Sequence, residues 1–98
     1  MSQYLDAISR DLMINRDDNP VQWVLWLDEL REAHEHLGNL IEKLVADRDY
    51  DESCLRVDMG HVMAHLNRSW ARRNSTGDMT DEEFEAFRAY PQDLQPIA

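Results

Sequence analysis

Apolar side chains recur at alternating steps of four and three between positions 20 and 46. The members of this seam are Trp23, Leu27, Leu30, His34, Leu37, Ile41 and Leu44. The spacing returns each side chain to one face of a helix with 3.6 residues per turn, so it predicts one long amphipathic helix over about 20–46. Trp26, Ala33 and Leu40 widen the apolar stripe along one flank. A stripe this broad is typical of a globular bundle, and a two-stranded coiled coil has a narrower one.

Local signals predict where this helix and three others begin. Asn19 followed by Pro20 provides a cap and a proline at the first helical position. Ser2 caps a first helix that ends near residue 15 and has one apolar face, made by Leu5, Ile8 and Leu12. Two more helices are predicted farther along the chain.

The third predicted helix starts at Asp51 or Ser53 and runs to about Arg73. Its apolar positions again follow the helical period, and they are Leu55, Met59, Val62, Leu66 and Trp70. The fourth helix is short. It begins at Thr80, where Thr80 and Glu83 match a capping box, and it stops before Pro91.

These elements predict an all-α fold, a small four-helix bundle-like domain whose long central helix covers about 20–46. Residues 1–91 form the domain, and residues 92–98 form a tail that is loosely docked or disordered. The first two turns of the central helix, Val21 to Leu27, are apolar nearly all round. We therefore expect this end to be the most deeply buried. Because a chain of 98 residues has a thin core, dimerisation is an expected way to complete it.

The charge of the chain limits the surfaces that it can bind. Twenty acidic residues against ten basic ones give a formal charge of −10, which disfavours nucleic acid phosphates and anionic lipids. A short acid-free stretch between His65 and Gly77 contains Arg68, Arg72 and Arg73. Cations are stabilised at the end of a helix, so we attribute this stretch to the end of the third helix, and direct nucleic acid binding is not expected.

The composition also suggests a compartment. A lone cysteine, Cys54, cannot form an internal disulfide, which favours a reducing compartment. No apolar stretch reaches the roughly 20 residues that cross a bilayer, so no membrane association is expected. The sequence therefore predicts a cytoplasmic protein.

Potential metal ligands share one sector of the third predicted helix. His61 and His65 are four residues apart, a spacing that lets two imidazoles of one helix hold one ion, and Asp58 lies three residues before His61. One helix cannot close such a site, and the central helix offers Glu32, Glu35 and His36. The alternative is that these histidines are solvated and that the protein has no cofactor.

The leading functional hypothesis is a non-enzymatic, acidic protein–protein interaction module, such as an inhibitor or an adaptor, that binds another protein or a second copy of itself. Its acidic face is Glu29, Glu32 and Glu35. Its seam, as core or dimer interface, consists of Trp23, Trp26, Leu30, His34, Leu37 and Ile41. Two alternatives remain open. One is a metal-binding helical protein with a divalent ion at His61, His65 and Asp58, and the other is an inhibitor that mimics the charge of nucleic acid.

Overall fold

A computed structural model describes residues 13–97 of the chain. It contains helices α1 (Pro20–Ala46), α2 (Glu52–Ala71) and α3 (Asp81–Ala86), and no strand within the described residues. The all-helical class is confirmed, with two long helices and one short one. The predicted first helix, with Leu5, Ile8 and Leu12, lies outside the described residues. The described helices alone do not form a four-helix bundle.

The helix ends follow the local signals of the sequence. Pro20 occupies the first turn of α1, although the Asn19 side chain makes no capping hydrogen bond. The Asp51 carboxylate accepts the backbone N–H of Cys54 at 3.0 Å and caps α2. Thr80 and Glu83 form the predicted capping box at the start of α3. These caps satisfy backbone donors that have no partner inside the helix.

Helices α1 and α2 form an antiparallel hairpin joined by a short acidic turn. Near the open end of the hairpin, the Trp26 indole N–H donates to the Ser69 carbonyl at 2.7 Å. Near the turn, Lys43 lies 3.5 Å from Asp58. Residues late in α1 therefore contact residues early in α2, and each helix supports the other along its length.

The packed face of α1 is not the predicted seam. Ala33 and Leu40 are buried against α2, whereas Leu37 is 40% exposed, Ile41 is 53% exposed and His34 is also exposed. Helix α1 is thus rotated by about a quarter turn from the orientation that the apolar pattern predicts. In this half of the helix the seam is therefore exposed in the single chain, and its role as core or dimer interface stays a prediction.

The same offset occurs in α2. His65 and Ser69 are buried together with Val62 of the predicted apolar stripe, whereas Met59 and Leu66 of that stripe are exposed. In both helices, the polar flank of the apolar stripe faces the partner helix. Apolar side chains are therefore exposed on the opposite surface of the hairpin. This rotation decides which residues meet at the candidate site described below.

The beginning of α1 also differs from expectation. Val21, Val24 and Leu25 are exposed, so this end is not the most deeply buried part. Trp23 and Trp26 are half-buried, with ring centroids 5.2 Å apart. Helix α2 ends at Ala71, and the hydrogen bond from these turns to α2 comes from Trp26.

The segment after α2 returns to the hairpin. The Asn67 amide donates to the Arg88 carbonyl at 2.6 Å, and the Trp70 indole N–H donates to the Asp93 carboxylate at 2.9 Å. The predicted tail is therefore docked at Asp93. No helix among the described residues is long and apolar enough to cross a bilayer.

Candidate metal centre

Three histidines meet on the polar side of the hairpin. His36 comes from α1, and His61 and His65 come from successive turns of α2. The ring centroids of His36 and His61 are 3.9 Å apart, and those of His61 and His65 are 4.8 Å apart. One coordinating atom from each ring lies within 4.8 Å of the other two. We call His36, His61 and His65 the histidine cluster.

The distances in the cluster are close to those of a metal site. Nitrogen ligands of a tetrahedral zinc ion are about 3.3 Å apart, given bonds of about 2.0 Å. The Nε2 atoms of His61 and His65 are already 3.2 Å apart. His36 contributes a third ligand atom within 4.8 Å of the other two.

His65 is the buried member, and its orientation is fixed by Glu29. The Glu29 carboxylate lies 2.8 Å from His65 Nδ1. Because a carboxylate only accepts hydrogen bonds, Nδ1 donates, and Nε2 points towards the cluster, where His61 Nε2 lies 3.2 Å away. A carboxylate behind a histidine is the common arrangement around metal-ligating histidines, where it fixes the tautomer and raises the basicity of the ligand.

Glu32 brings a second carboxylate to the cluster. Its Oε2 atom lies 3.3 Å from His65 Nε2, on the side of the ring opposite Glu29. A carboxylate oxygen and an imidazole lone pair repel each other unless a cation lies between them. The Glu32 side chain is 57% exposed, so water screens part of this repulsion, and a proton or a metal ion between the two atoms would remove the rest.

A buried arginine holds the supporting carboxylate in place. Arg68 Nε donates to Glu29 Oε2 at 2.9 Å, and its guanidinium lies 4.3 Å from the centroid of the Phe84 ring. The Arg68 side chain is only 5% exposed. Glu29 therefore connects His65 to Arg68, and Arg68 connects the site to α3.

His61 is the accessible member of the cluster. Partial burial and the neighbouring His36 and His65 rings lower the pKa of His61 below its usual value. A lowered pKa favours the neutral imidazole, which is the form that binds a metal ion. Because His61 is exposed, an ion has a path into the site.

The structure separates Asp58 from the histidine cluster. The Asp58 carboxylate instead accepts the Tyr50 hydroxyl at 2.8 Å and lies 3.5 Å from Lys43 Nζ. Burial, followed by this hydrogen bond, raises the pKa of Tyr50 to about 12. Asp58 thus links α2 to the turn and to α1. Of the predicted ligands His61, His65 and Asp58, only the two histidines come together.

The remaining predicted site residues divide between the two sides of the hairpin. His36 and Glu32, which were candidates from the central helix, reach the cluster, while Glu35 and His34 are exposed. Glu29 was assigned to an acidic face and is instead a supporting residue of the site. Its signal was present in the sequence, because Glu29, Glu32 and His36 are spaced by three and four residues and share one helix face.

The arginine-rich end of α2 is used inside the molecule. Arg68 pairs with Glu29, Arg72 donates to the Gly77 carbonyl at 2.7 Å, and Arg73 donates to the Trp70 carbonyl at 2.8 Å. Arg73 also lies over the Trp70 ring, with its guanidinium 3.8 Å from the ring centroid. This agrees with a structural role for the acid-free stretch.

The chain has no match among protein-family models, curated proteins or solved structures. Its function must therefore be argued from its own residues.

Proposed function

We propose that this protein is a non-enzymatic, metal-binding helical hairpin. It binds one transition-metal ion, Zn²⁺ in the first instance, through His36, His61 and His65, with Glu32 as the fourth ligand. The observation that supports this most is the convergence of three imidazoles from two helices, with a carboxylate behind the buried one. An ion held there would tie α1 to α2 midway along the hairpin.

The ligand types favour a particular class of metal. Imidazole nitrogen suits Zn²⁺, Ni²⁺ and Cu²⁺, whereas Mg²⁺ and Ca²⁺ prefer sites made of oxygen ligands. Three histidines and one carboxylate match the four-coordinate geometry of zinc. If Glu32 does not bind the ion, three histidines leave one position open to solvent beside the exposed His61.

Binding of the metal also accounts for the position of Glu32. His65 Nδ1 already donates to Glu29, and a neutral imidazole has only one N–H. The Glu32 carboxylate near Nε2 therefore has no hydrogen to accept from a neutral His65 ring. A metal ion between Nε2 and Glu32 removes this repulsion, and a proton on His65 is the competing explanation. Metal titration separates these two explanations, because only the metal-ion explanation predicts a change when metal is added.

The test is titration of the purified, metal-free protein with Co²⁺ and Zn²⁺. We expect one ion per chain, visible absorption bands of tetrahedral Co²⁺ that Zn²⁺ displaces, and a melting temperature that rises with free Zn²⁺. His61→Ala and His65→Ala should each weaken binding by more than roughly 100-fold, because loss of a residue behind the ligands alone costs 10–100-fold.

His34→Ala is the matched control. His34 is an exposed histidine of α1 outside the cluster, so its loss should leave affinity unchanged. Equal affinities for His34→Ala and His61→Ala would mean adventitious surface binding. No binding and no thermal shift at about 100 µM Zn²⁺ would reject the proposal.

An interaction module that pairs with another protein or a second copy is the second candidate. It is favoured by apolar exposure near the hairpin turn, where Ile41 and Leu44 are about half exposed and Val45 is 84% exposed. Light scattering of the wild type and of Ile41→Ser/Leu44→Ser tests the homodimer. A wild-type mass that stays monomeric at all concentrations would count against self-association through this end.

A further inference from the structure

The side of the hairpin opposite the histidine cluster contains an apolar groove. It forms a cavity of about 490 Å³ between the two helices and the C-terminal segment. Its walls include Trp26, Leu30, Met63, Leu66, Trp70 and Leu94. Leu37 and Met59 continue the same faces of α1 and α2 beyond the cavity, and both are exposed.

The chain enters this groove at Met13. Met13 itself lines the cavity, and the next residue, Ile14, is buried with its N–H donating to the Arg73 carbonyl at 2.7 Å. The twelve residues before Met13 are therefore tethered to the mouth of the groove. Such tethering gives an effective concentration in the millimolar range before any contact is made.

We infer that residues 1–12 are the occupant of the groove, as an amphipathic helix that lays Leu5, Ile8 and Leu12 between α1 and α2. Twelve helical residues span about 18 Å. The exposed stripe of α2 from Trp70 back to Met59 spans about 16 Å by the same rise. The length of the segment thus matches the apolar surface between its point of attachment and Met59.

The charges of the segment fit this orientation. Asp6 and Arg10 lie on the helix face away from Leu5, Ile8 and Leu12, and Asp11 lies at the edge of the apolar face, from which its carboxylate would reach water. The apolar side chains would meet a groove whose walls are almost entirely apolar. Docking would give the hairpin the third long helix that its rotated faces lack, and Ile41, Leu44 and Val45 would remain uncovered.

Cysteine cross-linking of the full chain tests the placement. In a Cys54→Ser background, Ile8→Cys is combined with Leu30→Cys, which lines the groove about five residues from its mouth, and the matched control combines Arg10→Cys with Leu30→Cys. Residues 8 and 10 are about 200° apart on a helix, so only Ile8→Cys should face α1. We expect an intramolecular disulfide to form at least tenfold faster in the Ile8→Cys pair.

Two results would overturn the inference. Equal rates for the two pairs would mean that the segment has no fixed face towards α1. A disulfide formed mainly between two chains would mean that a second copy covers the groove.

A second measurement does not depend on introduced cysteines. Leu5→Gln/Leu12→Gln should shift tryptophan emission to longer wavelength, because Trp26 and Trp70 would become wetter, while Asp6→Asn should not. An unchanged spectrum in the double variant would also contradict the inference. Neither measurement uses a metal ion, so failure here is distinct from failure of the metal-binding proposal.

Discussion

Replacement of Glu29 by glutamine tests the network that connects the histidine cluster to the rest of the fold. Glu29→Gln preserves the size of the side chain but removes its charge and one of its two acceptor oxygens. The Glu29 carboxylate accepts from His65 Nδ1 at 2.8 Å and from Arg68 Nε at 2.9 Å. Glutamine has one carbonyl oxygen, which can accept one of these two hydrogen bonds. Its NH₂ group is a donor and would face the other donor, either His65 Nδ1–H or Arg68 Nε–H.

The size of the effect follows from the burial of Arg68. Removal of one member of a buried ion pair costs 3–5 kcal/mol, roughly, because the remaining charge is left without a partner. Here the Glu29 side chain is 18% exposed, and Arg68 keeps its contact with Phe84. We therefore expect Glu29→Gln to lower the free energy of unfolding by about 2–3 kcal/mol, just below that range.

Urea denaturation followed by circular dichroism measures this loss. Glu35→Gln is the matched control, since Glu35 is exposed on the same helix, and its effect should stay within about 0.5 kcal/mol. Combining Glu29→Gln with Arg68→Met removes the unpaired charge, so the double variant should lose less than the sum of the single losses. A loss below about 0.5 kcal/mol for Glu29→Gln, or additive single effects, would refute the proposed coupling.

The remaining predictions concern the core, a helix cap and acid stability. Leu40→Ala should lower the free energy of unfolding by about 2–5 kcal/mol because the Leu40 side chain is 2% exposed. Leu44 is half exposed, so Leu44→Ala should lower it by less than about 1 kcal/mol. Comparable losses for the two variants would mean that α1 packs on its seam. Asp51→Ala should cost about 1 kcal/mol and speed hydrogen exchange of the Cys54 amide, and unchanged exchange would argue against the cap. The hydrogen bond from Trp70 is the largest cause that lowers the pKa of Asp93, and a backbone hydrogen bond and the charge of Arg73 add to it. The unfolded chain therefore binds this proton first, and the stabilisation from Asp93 is complete well above pH 4 and is lost as the pH falls below about 3.8. In urea denaturation, the free energy of unfolding should therefore fall less for Asp93→Asn than for the wild type between about pH 6 and pH 3. An equal fall in the two proteins would contradict this role of Asp93.

The sequence by itself determined the local structure of this protein. The bounds Pro20–Ala46 agree with the predicted helix, and Asp51 and Thr80 cap their helices as expected. These signals act within one or two helix turns, so they need no information about the rest of the chain. The pairing of His61 with His65 is likewise a property of one helix, since residues four apart share a face.

Only the tertiary structure decided which faces of α1 and α2 meet. The apolar pattern favoured the seam, yet the helices pack on a stripe about a quarter turn away, where Ala33, Leu40 and Ser69 are buried. The same rotation pairs Glu29 with Arg68 and His65, residues 39 and 36 positions apart, and brings His36 to the histidine cluster. The rotation of each helix depends on the combined free energy of contacts from both helices. One of these contacts is the buried Glu29–Arg68 ion pair, which no pattern within a single helix contains. The residues of the candidate metal centre therefore could not be grouped from the sequence alone.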